Sequence, residues 1–410
     1  MEKQKCPELR FSQYKNDWYE TTLGDVVDIV GGGTPDTNVP EFWNGDIDWY
    51  SPTEIGESVY ANGSIKKITV SGLKNSSAKI LPAKKTVLFS SRAGIGDMAI
   101  LDKPAATNQG FQSFVANNID VYFLYSMGVK IKKFALSKAS GSTFLEISRN
   151  QLAQMEFLAP SIDSNEQTQI GNFFQNLDQS IALHEKKLSQ TQNLKKAMLE
   201  KMFPKAGSMQ PEIRLKGFSG DWVLSKIGEV FHVTSGGTPL RSDLRFFENA
   251  DIDWVKTTDL NNGIINKTEE KISSIALAET SIKILPKGTV FVAMYGGFNQ
   301  IGRTGLLVSD ATCNQALSAI YPNDKVEPYY LLTYLNFKVD SWKDLAASSR
   351  KDPNITKSDV LSFPLMYPSV KEQFEISHFF KKLDETLTLQ QQQLQTLKNL
   401  KQAFLEKMFV

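Results

Sequence analysis

The chain has 410 residues, 41% hydrophobic and 22% charged, with a net charge of +1, so it suits two to four domains of ordinary globular composition. Lys+Arg and Asp+Glu balance locally as well, 17 against 17 over residues 1–160 and 18 against 18 over 205–368, so any nucleic-acid binding must come from a patch on one face rather than an overall excess. Two distant cysteines, Cys6 and Cys313, exclude a disulfide framework or a zinc site and fit a reducing cytoplasm, and there is neither a signal-peptide h-region nor an apolar run of about 18 residues.

Residues 1–160 read as a mixed α+β domain. Asp17-Trp18 and LGDV (Leu23–Val26) lead to the loop GGTP (Gly32–Pro35). DIDW (Asp46–Trp49), KILP (Lys79–Pro82) and the β-rich run KTVLFSS follow, with turn residues such as Asn62-Gly63 between them. After Asn108-Gln109, the run VYFLYSMGVKIKKFAL at 121–136 looks helical. Residues 161–204 form a helix. From Glu166-Gln167 and Phe173-Phe174 onward, Ile170, Phe174, Leu177, Ile181, His184, Leu188, Thr191, Met198 and Met202 recur at 4-3 spacing, with one lapse at Lys195. Such a stripe predicts a coiled coil of about 55 Å at ~1.5 Å per residue. The helix closes on LEKMF (Leu199–Phe203) and is broken by Pro204–Gly207.

Residues 205–368 then repeat the first domain. Asp221-Trp222, IGEV (Ile227–Val230), GGTP (Gly236–Pro239), DIDW (Asp251–Trp254), KILP (Lys283–Pro286), the β-rich run GTVFVAM and Asn314-Gln315 recur in order, and 327–339 looks helical. Residues 369–410 repeat the helix. Glu372-Gln373 and Phe379-Phe380 open it, and its stripe is Ile376, Phe380, Leu383, Leu387, Gln390, Leu394, Leu397, Phe404 and Met408, with the lapse at Lys401. LEKMF ends it again at Leu405–Phe409. The offset stays between 203 and 206 residues, so the chain is a tandem duplication of a domain followed by a helix. The fold class expected is α+β: two α/β domains held at opposite ends of an antiparallel two-helix coiled coil, related by a pseudo-twofold. Burial of the two stripes in an ordinary bundle is the alternative.

Catalytic patterns are sparse. No GxxxxGK[ST] phosphate loop occurs, and GGTP lacks the context of a dinucleotide fingerprint. His184, His232 and His378 are too scattered for a triad or metal site. Asp46 and Asp48 share a strand face, as carboxylates in acid–base work would, but such a pair is far more often a solvated strand edge. Glu269-Glu270-Lys271 after Asp259 faintly resembles a nuclease pattern and has no acidic counterpart in the first half.

The doubled order LGD, GGTP, Trp43, DIDW, NQ, EQ, Phe-Phe and Leu177-Asp178 with Ile181, each set ending in a long helix, resembles the specificity subunit of type I restriction–modification enzymes over essentially the whole chain. The resemblance implies two target recognition domains (1–160 and 205–368) that each read half of a bipartite site in double-stranded DNA. The helices at 161–204 and 369–410 would set the spacing and carry two modification subunits. No catalytic residue, metal or cofactor is expected on this chain: S-adenosylmethionine and ATP would sit on modification and restriction subunits, and no [DNS]PP[YFW] methylase motif is present.

Base and phosphate contacts call for Arg, Lys, Asn, Gln and small polar residues on loops. The first domain offers Lys84, Lys85, Arg92, Lys138, Ser140 and Ser142; the second offers Arg241, Tyr295, Asn299, Gln300, Arg303, Arg350 and Lys351. SSRAGIG and MYGGFNQIG are equivalent stretches with different polar residues, so sequence choice is expected to differ there. Asn108-Gln109 and Asn314-Gln315, identical in both domains, suit scaffold or phosphate roles. Leu199, Met202, Phe203, Leu405, Met408 and Phe409 are the expected docking residues for the modification subunits. A two-headed enzyme built on DIDW and a scaffold binding only proteins are the competing functions.

Overall fold

The computed structural model describes residues 5–92, 94–141, 145–297, 299–347 and 354–410. The chain forms two compact units, Met1–Lys186 with Gln391–Val410, and Lys187–Gln390. Each unit contains one of the repeated domains, here called heads, and draws on both long helices.

In the first head a five-stranded sheet runs in the order Val27–Gly31, Gln112–Ala116, Thr86–Phe89, Met98–Leu101, Tyr60–Ala61. Only the last pair is parallel. A smaller sheet sets Lys66–Ile68 and Ala106–Thr107 on either side of Trp43–Tyr50, and Tyr19–Thr22 pairs with Glu156–Ala159. The strands Thr86–Phe89 and Met98–Leu101 are buried at every residue. Their sequences are therefore continuous apolar runs without polar alternation.

The second head repeats this plan. Its large sheet runs Val233–Ser235, Leu317–Ile320, Val290–Ala293, Thr304–Leu307, Gly263–Ile265. Its small sheet places Ile252–Val255 between Lys271–Ile272 and Thr312–Cys313. The helical run expected at 121–136 is two helices, Val121–Ser126 then Gly128–Lys138; that at 327–339 is the helix Pro328–Phe337, and a further helix, Val339–Ala347, follows it.

The long helices span Glu166–Met202 and Val370–Lys407. Every residue of the two expected stripes is buried or half-buried, while Leu183, Leu194, Leu389 and Leu400, which lie off the stripes, are exposed. Within the first unit Phe173 meets Phe404 at 5.0 Å, Asp178 meets Lys401 at 2.5 Å and Glu185 meets Lys398 at 2.6 Å, so the segments run antiparallel. Within the second unit Lys195 pairs with Asp384, and Phe203 lies 6.0 Å from Phe380, again antiparallel.

Lys195 and Lys401, the two lapses in the apolar stripes, are thus the cations of interhelical ion pairs. Each pair is tied to its own head as well: Asp178 accepts a hydrogen bond from the Tyr122 hydroxyl at 2.9 Å, and Asp384 accepts one from Tyr329 at 2.8 Å. One carboxylate therefore joins a head helix, the helix that leaves that head and the helix that returns beside it. Burial, then the negative charge of the aspartate, pushes both tyrosine hydroxyls well above their usual range, so they remain donors.

Candidate nucleic-acid interface

The motifs that both heads share assemble into one scaffold. Gly32 passes the adjacent strand so closely that a Cβ there would lie 2.0 Å from the Asn108 carbonyl oxygen; at Gly236 the same atom would be 1.9 Å from that of Cys313. Only glycine fits such an approach. The crossing is locked by Gly33 N–H donating to Thr107 (2.8 Å) and Gly237 N–H donating to Cys313 (3.0 Å). The tryptophan of each DIDW donates its indole N–H to the same loop, Trp49 to Gly33 at 2.8 Å and Trp254 to Gly237 at 3.1 Å. The GGTP threonines, Thr34 and Thr238, donate to the side-chain carbonyls of Gln109 and Gln315.

The second carboxylate of each DIDW does structural work. Asp48 is buried, accepts from the amide and hydroxyl of Ser64 and pairs with Lys67 at 3.3 Å. Asp253 accepts from Thr268 at 2.9 Å and pairs with Lys271 at 3.2 Å. Among the described residues no group of His, Cys, Asp and Glu is arranged to hold a metal ion.

The loop after the central strand diverges on a common base. Ser91 N–H donates to Gly110 and Ser91 carbonyl accepts from Ile147; Met294 makes the same two bonds with Ala316 and Ile355. Ser90 N–H donates to Asp97 and its carbonyl accepts from Gly96, as Ala293 N–H donates to Arg303 and its carbonyl accepts from Gly302. Between these fixed ends the first head has five residues, Arg92–Gly96, and the second has eight, Tyr295–Gly302. Each loop closes on a glycine with positive φ, Gly96 at 89° and Gly302 at 74°. A side chain there would strike Lys132 or Trp342.

In the first head Arg92 sits 2.8 Å from Glu146, and Glu146 exchanges backbone bonds with Ser140. The Lys138 carbonyl accepts from Gln151 at 2.9 Å, holding the neighbouring turn. Arg92, Lys138 and Ser140 are thereby gathered together. Lys84 and Lys85 are exposed but precede the strand that Arg92 follows, a strand about 13 Å long at ~3.3 Å per residue. Lys84 lines a cleft with Asn172 and Gln175 of the long helix, apart from the Arg92 group. Ser142 lies outside the described residues.

In the second head Tyr295 and Asn299 are exposed on the longer loop, Gln300 folds back over Gly296, and Arg303 is half-buried at its base. Arg241 is elsewhere: it pairs with Glu270 at 2.6 Å on the small sheet and lies over the rings of Phe247 and Trp254. Arg350 and Lys351 lie outside the described residues.

The expected docking residues need correction. Met202 and Phe203 are buried in the core of the second unit, where Phe203 packs on Phe337 at 5.3 Å and Tyr330 at 5.7 Å. Met408 and Phe409 are buried in the first, with Phe409 at 5.1 Å from Phe123 and 5.9 Å from Phe174. Leu199 and Leu405 are half-buried against the same two cores. Each LEKMF seals a head instead of facing outward, because its two terminal apolar residues fill the gap between that head and the start of the opposite helix.

A second shared element has no place among the expectations. Arg10 binds Glu166 with both arms of its guanidinium at 2.6 and 2.7 Å, and Arg214 binds Glu372 at 2.8 and 2.8 Å. Both carboxylates are buried. The neighbouring Gln167 and Gln373 accept from the amides of Asp120 and Glu327. The signal was the repeat of PELRF as PEIRL, at Pro7–Phe11 and Pro211–Leu215.

The model of a family described as the type I restriction modification DNA specificity domain matches residues 15–193 and 219–399. The MjaIX specificity subunit of Methanocaldococcus jannaschii is 26% identical over 98% of this chain and 94% of that protein. The EcoR124I/EcoR124II specificity subunit of Escherichia coli is 25% identical over 40% of each. Among solved structures, the S subunit of a type I restriction–modification system from M. genitalium superposes with a TM-score of 0.65 at 17% identity, covering 99% of both chains. A chain from a type I restriction–modification assembly superposes at 0.55 and 19% identity, covering 96% of this chain and 98% of that one. Among the described residues no helix is long and apolar enough to cross a membrane.

Proposed function

The chain belongs to the family of type I restriction–modification DNA specificity domains, as a specificity subunit, and from that premise we propose that its two heads read the two halves of an asymmetric bipartite site in double-stranded DNA. One observation carries this reading. Two heads share a hydrogen-bonded scaffold bond for bond, yet differ in length and chemistry in a loop that stands on it. Selection for a common fold with two different ligands of the same class leaves that pattern. Arg92, Lys138 and Ser140 in the first head and Tyr295, Asn299, Gln300 and Arg303 in the second are the side chains assigned to bases and phosphates. Lys84 and Lys85 are assigned to phosphates alone.

The helices act as the spacer and carry two modification subunits. Since both LEKMF ends are buried, the exposed leucines Leu183 and Leu400 on the first unit and Leu194 and Leu389 on the second are the apolar spots for those partners. The subunit itself is non-catalytic, works in the cytoplasm of a bacterium or archaeon, and leaves S-adenosylmethionine and ATP to its partners. Sequencing N6-methyladenine in cells that carry this chain with a cognate modification subunit tests the reading. A two-part methylated motif with a fixed gap is expected; methylation without a bipartite motif, or none, refutes it.

A further inference from the structure

The hairpin of the small sheet is the same backbone in both heads with its outward chemistry reversed. In the first head Ser64 hydroxyl donates to the Lys66 carbonyl and to Asp48, and Ile65 N–H donates to Glu54 at 2.6 Å. In the second, Thr268 hydroxyl donates to the Glu270 carbonyl and to Asp253, and Glu269 N–H donates to Asp259 at 2.9 Å. The strand registers agree as well: Ile47 faces Ile68 and Asp48 faces Lys67, as Ile252 faces Ile272 and Asp253 faces Lys271. Ile65 and Lys66 thus occupy the positions of Glu269 and Glu270.

The two tips differ in what they leave unsatisfied. Glu270 is held below the usual carboxylate range by its bonds to Arg241 and Lys256, and Glu269 lies 3.4 Å from Lys256. The second tip is a closed ion network. In the first head Ser51 stands where Lys256 does, and among the described residues Lys66 has no carboxylate partner; its ammonium rests 5.8 Å from the Trp43 ring. Ile65 beside it is 86% exposed, the most exposed large apolar side chain in the chain's described part. The tip also adjoins the Arg92 group: Glu54, which binds Ile65, follows Pro52, and Pro52 abuts Gly110, the residue that anchors Ser91.

Resting on the reading of the heads as DNA readers, we infer that Ile65 and Lys66 form a DNA contact of the first head that the second head lacks. Lys66 neutralises a backbone phosphate, and Ile65 makes an apolar contact in the groove beside it. A free cation held by an aromatic ring and next to an unshielded branched chain fits a polyanion with apolar base edges. Paired acids in the same place exclude it from the second tip.

The test uses the chain assembled with its modification subunits on a duplex bearing its methylated motif, with affinity measured across a salt series. Lys66→Gln should lower the slope of log K against log salt by about 0.9 and weaken binding about eightfold at ~0.1 M salt. Lys66→Arg should keep the wild-type slope, and Ile65→Ser should weaken binding with the slope unchanged. A wild-type slope in Lys66→Gln overturns the inference while leaving the heads as readers. Loss of salt-dependent binding in the wild-type complex itself would overturn the underlying reading instead.

Discussion

Replacing Lys401 by Met keeps an unbranched chain on the apolar stripe and removes only the charge that faces Asp178. The carboxylate is 7% exposed and would keep Tyr122 as its donor but lose its counter-ion. Orphaning a buried charge in this way costs about 3 kcal/mol. In a unit of this size that lowers its Tm by about 6–12 °C. The equivalent Lys195→Met leaves Asp384 in a different setting, 34% exposed and reachable by water and salt. Screening should reduce that loss to about 1 kcal/mol, or about 2–4 °C. Adding Asp178→Asn to Lys401→Met should recover most of the larger loss, since the amide still accepts from Tyr122 and no charge is left alone. Differential scanning calorimetry of the intact chain reads all four proteins. Equal losses from the two lysines, or a double variant no more stable than Lys401→Met, would refute the reasoning.

Phe409→Ala removes a core ring and should cost about 3–5 kcal/mol, with faster amide exchange confined to the first head; Phe203→Ala should do the same in the second head only. Exchange that rises in both heads from either variant would contradict this assignment. Gly32→Ala or Gly236→Ala drives a carbon to about 2 Å from a carbonyl oxygen, a severe overlap, and should separate Trp49 or Trp254 from its loop. A red-shifted tryptophan emission with lost methylation is the expected readout, and native emission would count against the scaffold role.

Much of the architecture was legible because duplication doubles every signal. The 4-3 spacing marks the stripes from Ile170 to Met202 and from Ile376 to Met408 residue by residue, and the structure buries or half-buries each of them. Their lapses at Lys195 and Lys401 were visible as exceptions but not as ion pairs, since the partners Asp384 and Asp178 lie 189 and 223 residues away. LEKMF is plain in sequence as a repeated ending, yet its apolar character alone cannot distinguish an outer face from a core that a distant part of the chain completes. Arg241 illustrates the limit at the interface. A loop arginine looks free in sequence, whereas Glu270 and two aromatic rings already hold it. The Ile65–Lys66 tip carries no signal of its own in sequence, because its meaning comes only from comparison with the acids at the same backbone position.

The placement of Met408 and Phe409 in the first head has a consequence for synthesis. On the ribosome, Phe174 emerges 235 residues before Phe409, the ring stacked near it. At ~5–20 residues per second that is a delay of about 12–47 s. During that interval the start of the first long helix and the head beside it carry an open apolar seam, while Lys187–Gln390 is translated and can close around Phe203. The N-terminal head is thus made first and finished last, so chaperone demand should peak on the half of the protein that has been outside the ribosome longest.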